Sequence, residues 1–260
     1  MKVWAIANQK GGVGKTTTAI SLGGLLAARK QHTLLVDLDP HGSLTTYLGF
    51  DPDQVEDSVY VLFQKSGGDP APLIRSSKFE CLDILPASTA LATLDRQLGA
   101  KSGMGLVIFR ALAQVAGRYD YVLIDCPPML GVLMVNALAA CERLLIPVQT
   151  EFLALKGLER MLHTLAMIQR SRETVLPYVI VPTLFDRRTR ASLQVLRELR
   201  ERYPARTWDA VIPIDTQFRE ASRAGAPLPL LHPATRGSRA YEDLLDYLLG
   251  TPRVLKVASV

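Results

Sequence analysis

Near its beginning the chain reads Asn8-Gln9-Lys10-Gly11-Gly12-Val13-Gly14-Lys15-Thr16-Thr17-Thr18, directly after the apolar run 3–7. The run before these residues is typical of a buried strand, and the apolar residues 19–27 after them are typical of a helix. Glycines at such a junction let backbone N–H groups point at an anion, and the first turn of the helix adds partial positive charge. The segment therefore predicts a phosphate-binding loop, formed by Gly11, Gly12, Val13, Gly14, Lys15, Thr16 and Thr17.

Two side chains of this loop carry specific chemistry. Lys15 is placed to reach the outer phosphates of a nucleotide, and the Thr16 hydroxyl is placed to ligate Mg²⁺. The loop departs from the usual pattern Gly-x-x-x-x-Gly-Lys-Thr, because Gln9 stands where a glycine is expected and Lys10 adds a second lysine. A plain strand–helix turn is the alternative interpretation, but the flanking strand and helix favour a nucleotide site.

Composition sets the class of protein. With 260 residues, 48% of them hydrophobic, the chain is long enough for one large α/β domain over 1–260, and a second domain is not required. The three cysteines are an odd number without paired metal-ligand spacing, which fits reduced thiols in a cytosol. An apolar run begins directly after Lys2, which leaves no room for a signal peptide, and no run approaches the roughly 20 residues of a membrane span. We therefore expect a soluble cytoplasmic protein.

Short apolar runs alternate with helix-like segments along nearly the whole chain. After the run 3–7 they lie at 33–38, 82–86, 121–125, 144–148, 178–181 and 210–213. This alternation predicts an α/β fold, with a mostly parallel twisted sheet and helices on both faces. The polar region 51–80 is expected to be a long excursion, and Gly99–Gly105 a break before a helix at 106–117. A last helix is expected at Tyr241–Leu249, ended by Gly250 and Pro252.

Two carboxylates follow predicted strands. In parallel sheets ligands bind at the carboxyl ends of the strands, where Asp39 and Asp125 both fall. Asp125 is expected to hold a metal ion together with Thr16, and Asp39 to position water or to support the metal, with help from Asp37. A turn or capping role is the alternative for an aspartate at a strand end.

Three motifs together resemble the deviant Walker ATPases of the ParA/MinD family. They are Asn8–Thr17, Asp37–Gly42 and Tyr121–Pro128, and the likeness continues through 147–151, 183–189 and 212–221, essentially the whole chain. The resemblance implies a deviant P-loop NTPase fold that uses ATP and Mg²⁺. It also implies slow ATP hydrolysis, ATP-driven homodimerisation and stimulation by a partner protein.

Site residues carry over from the family motif by motif. A lysine matching Lys10 reaches across the ATP-sandwich dimer to the partner's nucleotide in that family, so Lys10, Lys15 and Asp39 form the expected catalytic set. Thr183 and Pro213 lie where the family approaches the adenine base.

Members of this family bind to one of two larger structures, DNA or a membrane. ParA-like proteins bind DNA without sequence preference through basic residues of the C-terminal region, which here implies Arg187, Arg188, Arg190 and Arg219. A solvated, salt-bridged helix face is the alternative interpretation of these arginines. MinD-like proteins end in an amphipathic membrane helix, but the tail 253–260 is short and has only two cations, so membrane binding is not expected.

His41 departs from the family pattern. The usual Asp-Pro-Gln-Gly-Asn reads Asp39-Pro40-His41-Gly42-Ser43 here, and we expect His41 to be a substituted hydrogen-bonding side chain rather than a general base. A histidine at this position resembles the branch that positions chemoreceptor arrays. The expected cargo is thus a plasmid, a chromosome region or a chemotaxis cluster, with a ParB-like or chemotaxis-related adaptor as partner and a nucleoid-associated or polar location.

Three alternatives remain open at this point. One is a MinD-like membrane-associated regulator, and another is a scaffold of protein clusters that does not bind DNA. The third is a relative of the nitrogenase iron protein, although the pattern around Cys81, Cys126 and Cys141 does not match the cysteines of that family.

Overall fold

A seven-stranded sheet forms the centre of the protein. The computed structural model describes residues 1–94 and 104–251, and within them the strands lie in the order β3-β4-β2-β5-β1-β6-β7. The strands are β1 (Lys2–Ile6), β2 (Thr33–Asp37), β3 (Arg75–Ser76), β4 (Leu82–Leu85), β5 (Tyr121–Asp125), β6 (Arg143–Gln149) and β7 (Tyr178–Thr183). All neighbours pair in parallel except β3 with β4. The predicted α/β class is confirmed.

Helices connect the strands and cover both faces of the sheet. They are α1 (Lys15–Ala28), α2 (Ser43–Tyr47), α3 (Tyr60–Gln64), α4 (Val107–Gln114), α5 (Val132–Ala140), α6 (Phe152–Gln169), α7 (Arg190–Arg202), α8 (Gln217–Arg223), α9 (Leu228–Leu231) and α10 (Arg236–Leu249). Successive residues of β1 belong to different cores: Val3 and Ala5 pack with α4, α5, α6 and α7, whereas Trp4 and Ile6 pack with α1 and α10. Because strand side chains alternate in direction, the continuous apolar runs reflect burial on both faces.

The register of the central strands brings the candidate site residues to the same edge of the sheet. β1 lies between β5 and β6, and Ile6 pairs with Asp125, which in turn pairs with Asp37 of β2. The residues that follow β1 therefore leave the sheet beside the carboxyl end of β5, and the carboxyl end of β2 lies one strand further along the sheet.

The strand predicted at 210–213 is absent as a strand. Only an isolated bridge joins Phe185 to Pro213, supported by backbone hydrogen bonds from Phe185 N to Ile212 O (3.0 Å) and from Ile214 N to Phe185 O (3.1 Å). Proline has no N–H to donate, so it interrupts the ladder that an apolar run alone would predict. The short antiparallel β3 was not anticipated and lies within the excursion 51–80, together with α3.

The last helix begins five residues earlier than predicted. The Thr235 side chain caps it by accepting a hydrogen bond from Ser238 N, and Gly250 ends it in the left-handed conformation with φ of 70°. The helix predicted at 106–117 spans Val107–Gln114. The break predicted at Gly99–Gly105 is only partly described, and the tail from Pro252 onward lies outside the described residues.

Candidate functional site

The loop between β1 and α1 has the backbone of an anion site. Gly12 and Gly14 have φ of 73° and 89°, a region that residues with a Cβ rarely adopt, and no atom lies within 4 Å of a Cβ built on either glycine. Gly14 precedes α1 without a side-chain cap, and the first turn of the helix carries no acidic residue. The N–H groups of that turn and its dipole are thus available to a bound anion.

Lys15 brings a positive charge into this loop. The residue is only 7% exposed, and its Nζ lies 3.4 Å from the carbonyl oxygen of Lys10. A buried ammonium is costly without a charged partner, and no ion pair joins Lys15 to any described carboxylate. The position favours a phosphate as the missing partner.

Thr16 and Asp125 meet at the end of β5. Thr16 Oγ1 donates to Asp125 Oδ2 at 2.6 Å, while Asp125 Oδ1 is buried without a partner among the described residues. Burial raises the pKa of Asp125, and the neighbouring charge of Asp37 raises it further. A bound cation would relieve both costs, so the orphaned oxygen and the hydroxyl fit a Mg²⁺ site.

Such an ion would need further ligands from outside the protein. The described part of the chain contains no group of three or more His, Cys, Asp or Glu residues able to hold a metal ion. Mg²⁺ commonly takes one or two protein ligands and completes its octahedron with water and phosphate oxygens. The Thr16–Asp125 pair fits that mode, with a nucleotide supplying the rest.

Asp37 organises the segment after β2. Its Oδ2 accepts hydrogen bonds from Thr45 N (2.9 Å) and Thr45 Oγ1 (2.7 Å), and its Oδ1 accepts one from Asp39 N (3.1 Å). Asp37 is fully buried, and burial raises its pKa despite these donors. The carboxylate thereby fixes the backbone from which Asp39 projects.

Asp39 is the more accessible of the two carboxylates. Its side chain is 14% exposed, and its Oδ1 accepts hydrogen bonds from His41 N (3.0 Å) and from His41 Nδ1 (2.9 Å). Asp39 lies close enough to Asp37 and Asp125 that its charge raises the pKa of both.

Lys10 turns toward its own chain. Its Nζ forms an ion pair with Glu151 and lies 3.4 Å from Gln149 Oε1. The loop and α6 also approach closely, because a Cβ on Gly157 would lie 2.9 Å from Lys10 Cβ and 3.1 Å from Asn8 Oδ1. No local pattern predicted this partner, which lies 141 positions away.

A cavity of about 220 Å³ opens beside the loop. Thr183 and Pro213 both line it, and Thr183 Oγ1 donates to Val13 O at 2.8 Å. Phe218 and Tyr241 also line it, with their rings packed edge to face at 5.7 Å. The sequence predicted that Tyr241 lies in the last helix, but not that it lines this cavity. No local pattern indicates that the last helix packs against the loop.

Tyr241 also contacts the phosphate loop through α1. Its hydroxyl lies 2.9 Å from Thr18 Oγ1, which itself donates to Gly14 O at 2.8 Å. Thr18 therefore links the wall of the cavity to Gly14, the residue that precedes α1.

The arginines proposed to contact DNA differ in their surroundings. Arg187, Arg190 and Arg219 are exposed and form no ion pair with a described residue. Arg188 instead donates from Nε and Nη2 to Asp186, and these bonds lower the pKa of Asp186 to about 2. Arg187 and Arg188 line a second depression, of about 490 Å³, which shares residues 213–216 with the rim of the first cavity.

Large apolar side chains are exposed on the segments that flank the loop. They follow β5 and begin α6, and they are Met129, Leu130, Phe152 and Leu153. Phe152 is 70% exposed and directly follows Glu151, the partner of Lys10. Clustered exposed apolar residues are typical of interaction surfaces.

A phosphate loop after the central parallel strand, with a carboxylate at the end of the neighbouring strand, defines a P-loop nucleotide-binding protein. Residues 1–177 match a family model described as an AAA domain. The chain is 39% identical to the sporulation initiation inhibitor protein Soj of Bacillus subtilis (strain 168), over 94% of this chain and 96% of that protein. It belongs to the ParA/Soj family of P-loop ATPases, as the three motifs predicted.

Two further similarities agree with this assignment. The chain is 38% identical to the chromosome partitioning protein ParA of Caulobacter vibrioides (strain NA1000 / CB15N), over 97% of this chain and 96% of that protein. A crystal structure of a cobyrinic acid a,c-diamide synthase from Mycobacterium smegmatis, with a bound ATP analog and magnesium, is 36% identical with a TM-score of 0.83. That similarity covers 96% of this chain and 94% of the other. Among the described residues, no helix has the length and apolar character to cross a membrane.

Proposed function

We propose that this protein is a Mg²⁺-dependent ATPase that dimerises around ATP, binds DNA without sequence preference and positions a cargo with the help of a stimulating partner. The observation that carries the proposal is the meeting of Lys15, the Thr16–Asp125 pair and Asp39 at one end of the sheet. Membership in the ParA/Soj family supports the same assignment.

The phosphates of ATP would lie on the loop backbone and on Lys15. The open space around Gly12 and Gly14 leaves room for them, and the cavity lined by Thr183 and Pro213 would take the nucleoside. Mg²⁺ held by Thr16 and Asp125 would neutralise charge on the phosphates. The ATP analog and magnesium bound to the similar Mycobacterium smegmatis protein support this cofactor pair.

Hydrolysis requires an oriented water and compensation for charge in the transition state. Asp39 is the carboxylate exposed to the site and can accept a hydrogen bond from that water. Lys15 supplies charge within the chain, and Lys10 would supply more only from a second chain. These two contributions predict that the monomer hydrolyses ATP slowly and that the dimer hydrolyses it faster.

Dimerisation would use the exposed apolar residues beside the loop. Phe152 and Leu153 border the Lys10–Glu151 pair, and Met129 and Leu130 follow the strand that carries Asp125. A second copy of the chain placed over ATP would cover this surface and bring its own Lys10 to the nucleotide.

DNA binding would use the exposed arginines Arg187, Arg190 and Arg219. Contacts to phosphates carry no sequence information and weaken steeply with salt, which suits a protein that moves on DNA of any sequence. The cargo would then be a plasmid, a chromosome region or a chemotaxis cluster, reached through a ParB-like or chemotaxis-related adaptor.

Two variants test the proposed ATPase. Lys15→Ala should abolish binding of a fluorescent ATP analogue, because the buried cation that faces the phosphates is lost. Asp39→Ala should bind the analogue as the wild type does but lose release of phosphate, so that the dimer persists in gel filtration with ATP. Retained ATP binding by Lys15→Ala, or full turnover by Asp39→Ala, would contradict the assignment.

A further inference from the structure

The carboxylate of Asp39 is held from one side by a single residue. His41 donates to Asp39 Oδ1 twice, from its backbone N–H (3.0 Å) and from ring Nδ1 (2.9 Å). No described residue donates to Asp39 Oδ2. One oxygen is therefore fixed by two donors, and the other stays available to a water molecule.

The turn that carries His41 is itself fixed. Gly42 N donates to Asp39 O at 2.8 Å, and Gly42 has φ of 59°. A Cβ on Gly42 would lie 2.5 Å from Pro52 Cβ, so the turn packs tightly against the following segment. His41 is thus presented to Asp39 from a backbone that has little freedom to move.

Asp39 needs such support for an electrostatic reason. The charges of Asp37 and Asp125 lie close enough to interact with it, and like charges repel. Without a donor on Oδ1, a partly exposed carboxylate would rotate toward solvent and away from its buried neighbours. The ring N–H of His41 opposes that rotation.

We propose that His41 is a positioning residue, which holds the Asp39 carboxylate so that Oδ2 orients the water that attacks ATP. The proposal rests on the ATPase function proposed above. His41 acts through Asp39 and transfers no proton, since its Nδ1 is engaged by Oδ1 and its side chain is 80% exposed. The interaction requires a hydrogen on Nδ1, which the carboxylate favours.

Two variants of nearly the same shape as each other test the contribution of the ring N–H donor. In His41→Asn the amide nitrogen lies as many bonds from the backbone as Nδ1 and can donate to Oδ1, whereas His41→Leu has a similar shape and cannot donate. The backbone N–H of residue 41 remains in both variants. His232→Ala is the control, because this histidine is exposed and lies outside the site.

ATP turnover gives the first readout. His41→Leu should lower kcat about tenfold, the size expected for one hydrogen bond, with KM for ATP and dimerisation unchanged. His41→Asn should retain most of the wild-type kcat, and His41→Leu should add nothing in an Asp39→Ala background. Wild-type kcat in His41→Leu, or an equal loss in both variants, would overturn the proposal.

A spectroscopic readout separates this proposal from the ATPase function. Long-range ¹H–¹⁵N spectra of the nucleotide-free protein should show His41 with hydrogen on Nδ1, and Asp39→Ala should remove that preference. If the wild type does not hydrolyse ATP, the proposed function fails while these spectra still test the contact. A His41 ring with hydrogen only on Nε2 would overturn the proposal whatever the activity.

Discussion

Lys10, in the loop that would hold the phosphates, forms an ion pair with Glu151 of its own chain, which directly precedes α6. A lysine engaged in this way is not available to a second chain. In the proposed dimer Lys10 would have to leave Glu151 to reach the nucleotide of a partner, so we expect the ion pair to oppose dimerisation until ATP offers a stronger anionic partner.

Removing the charge of Glu151 should therefore ease dimerisation. We expect Glu151→Gln to lower the ATP concentration at half-maximal dimer formation roughly twofold to fivefold, since a partly exposed ion pair contributes about 0.2–1 kcal/mol. Gel filtration coupled to light scattering would measure the shift. Glu159→Gln, in α6 but paired with Lys156 and Arg202, is the matched control. An unchanged midpoint in Glu151→Gln would show that the ion pair has no such role.

The exposed apolar surface gives a second prediction. Phe152→Glu should prevent the ATP-dependent dimer, because a carboxylate would be buried at the interface, but it should leave ATP binding within about twofold of the wild type. Phe109→Glu is the control, since Phe109 is 53% exposed on α4, outside the proposed interface. Sedimentation velocity with a slowly hydrolysed ATP analogue would distinguish the two variants. Equal dimerisation by both would place the interface elsewhere.

The arginines are expected to contribute unequally to DNA binding. Arg187→Glu and Arg219→Glu should each weaken retention of nonspecific DNA severalfold and reduce its dependence on salt, because each removes a free cation. Arg188→Ala should have a smaller effect, since this guanidinium is already neutralised by Asp186.

Fluorescence anisotropy over a series of salt concentrations would measure these differences. Arg110→Glu, an exposed charge reversal on α4, controls for the change in net charge. If Arg110→Glu weakened binding as much as Arg187→Glu, the effect would come from overall charge and not from the proposed surface.

The buried carboxylates predict how stability depends on pH. Burial raises the pKa of Asp37 to about 6, and burial together with the neighbouring charge of Asp37 raises the pKa of Asp125 to about 8, whereas an unfolded aspartate titrates near 4. Between these values the folded protein binds more protons than the unfolded chain, so the free energy of unfolding contributed by these groups falls as pH rises from about 4 to 8. The side chain in Asp125→Asn does not titrate, so this variant should show a smaller decrease in the free energy of unfolding as pH rises.

Thermal unfolding of the protein without metal or nucleotide, from pH 5 to 8, tests this expectation. Asp125→Asn should be more stable than the wild type at pH 8, with a smaller advantage at pH 5. Asp186→Asn is a useful comparison, because Arg188 holds the pKa of that carboxyl to about 2 and the loss should not flatten the slope. Identical slopes for the wild type and Asp125→Asn would contradict the expected cost of the buried charge.

Local patterns predicted the parts of the site that depend on backbone conformation. The glycines of the loop predicted a backbone that turns its N–H groups toward an anion, and Gly12 and Gly14 adopt positive φ values that residues with a Cβ rarely adopt. The apolar runs 33–38 and 121–125 indicated parallel strands, and in the structure Asp37 and Asp125 pair at the ends of two neighbouring parallel strands. These features depend on residues adjacent in sequence.

Features that depend on distant residues were not predictable in the same way. The contact of Tyr241 with Thr18 spans 223 positions, and that of Lys10 with Glu151 spans 141. Such contacts follow from how helices pack, and amphipathic patterns specify only which face of a helix is buried. At Pro213 the local pattern was itself misleading. The apolar run 210–213 predicted a strand, but proline has no N–H to donate, and only an isolated bridge forms there.

The position of β1 in the sheet has a consequence for the newly made chain. Both neighbours of β1 come late in the sequence, since β5 begins at Tyr121 and β6 at Arg143, and the hydrogen bond that holds Val13 comes from Thr183. During synthesis more than a hundred further residues must therefore be added before β1 can pair with a neighbouring strand. Pairing between strands so distant in sequence is slow. Truncated chains that end before Thr183 should not bind ATP, so a ribosome that stops early would release a product unable to compete with the complete protein for nucleotide.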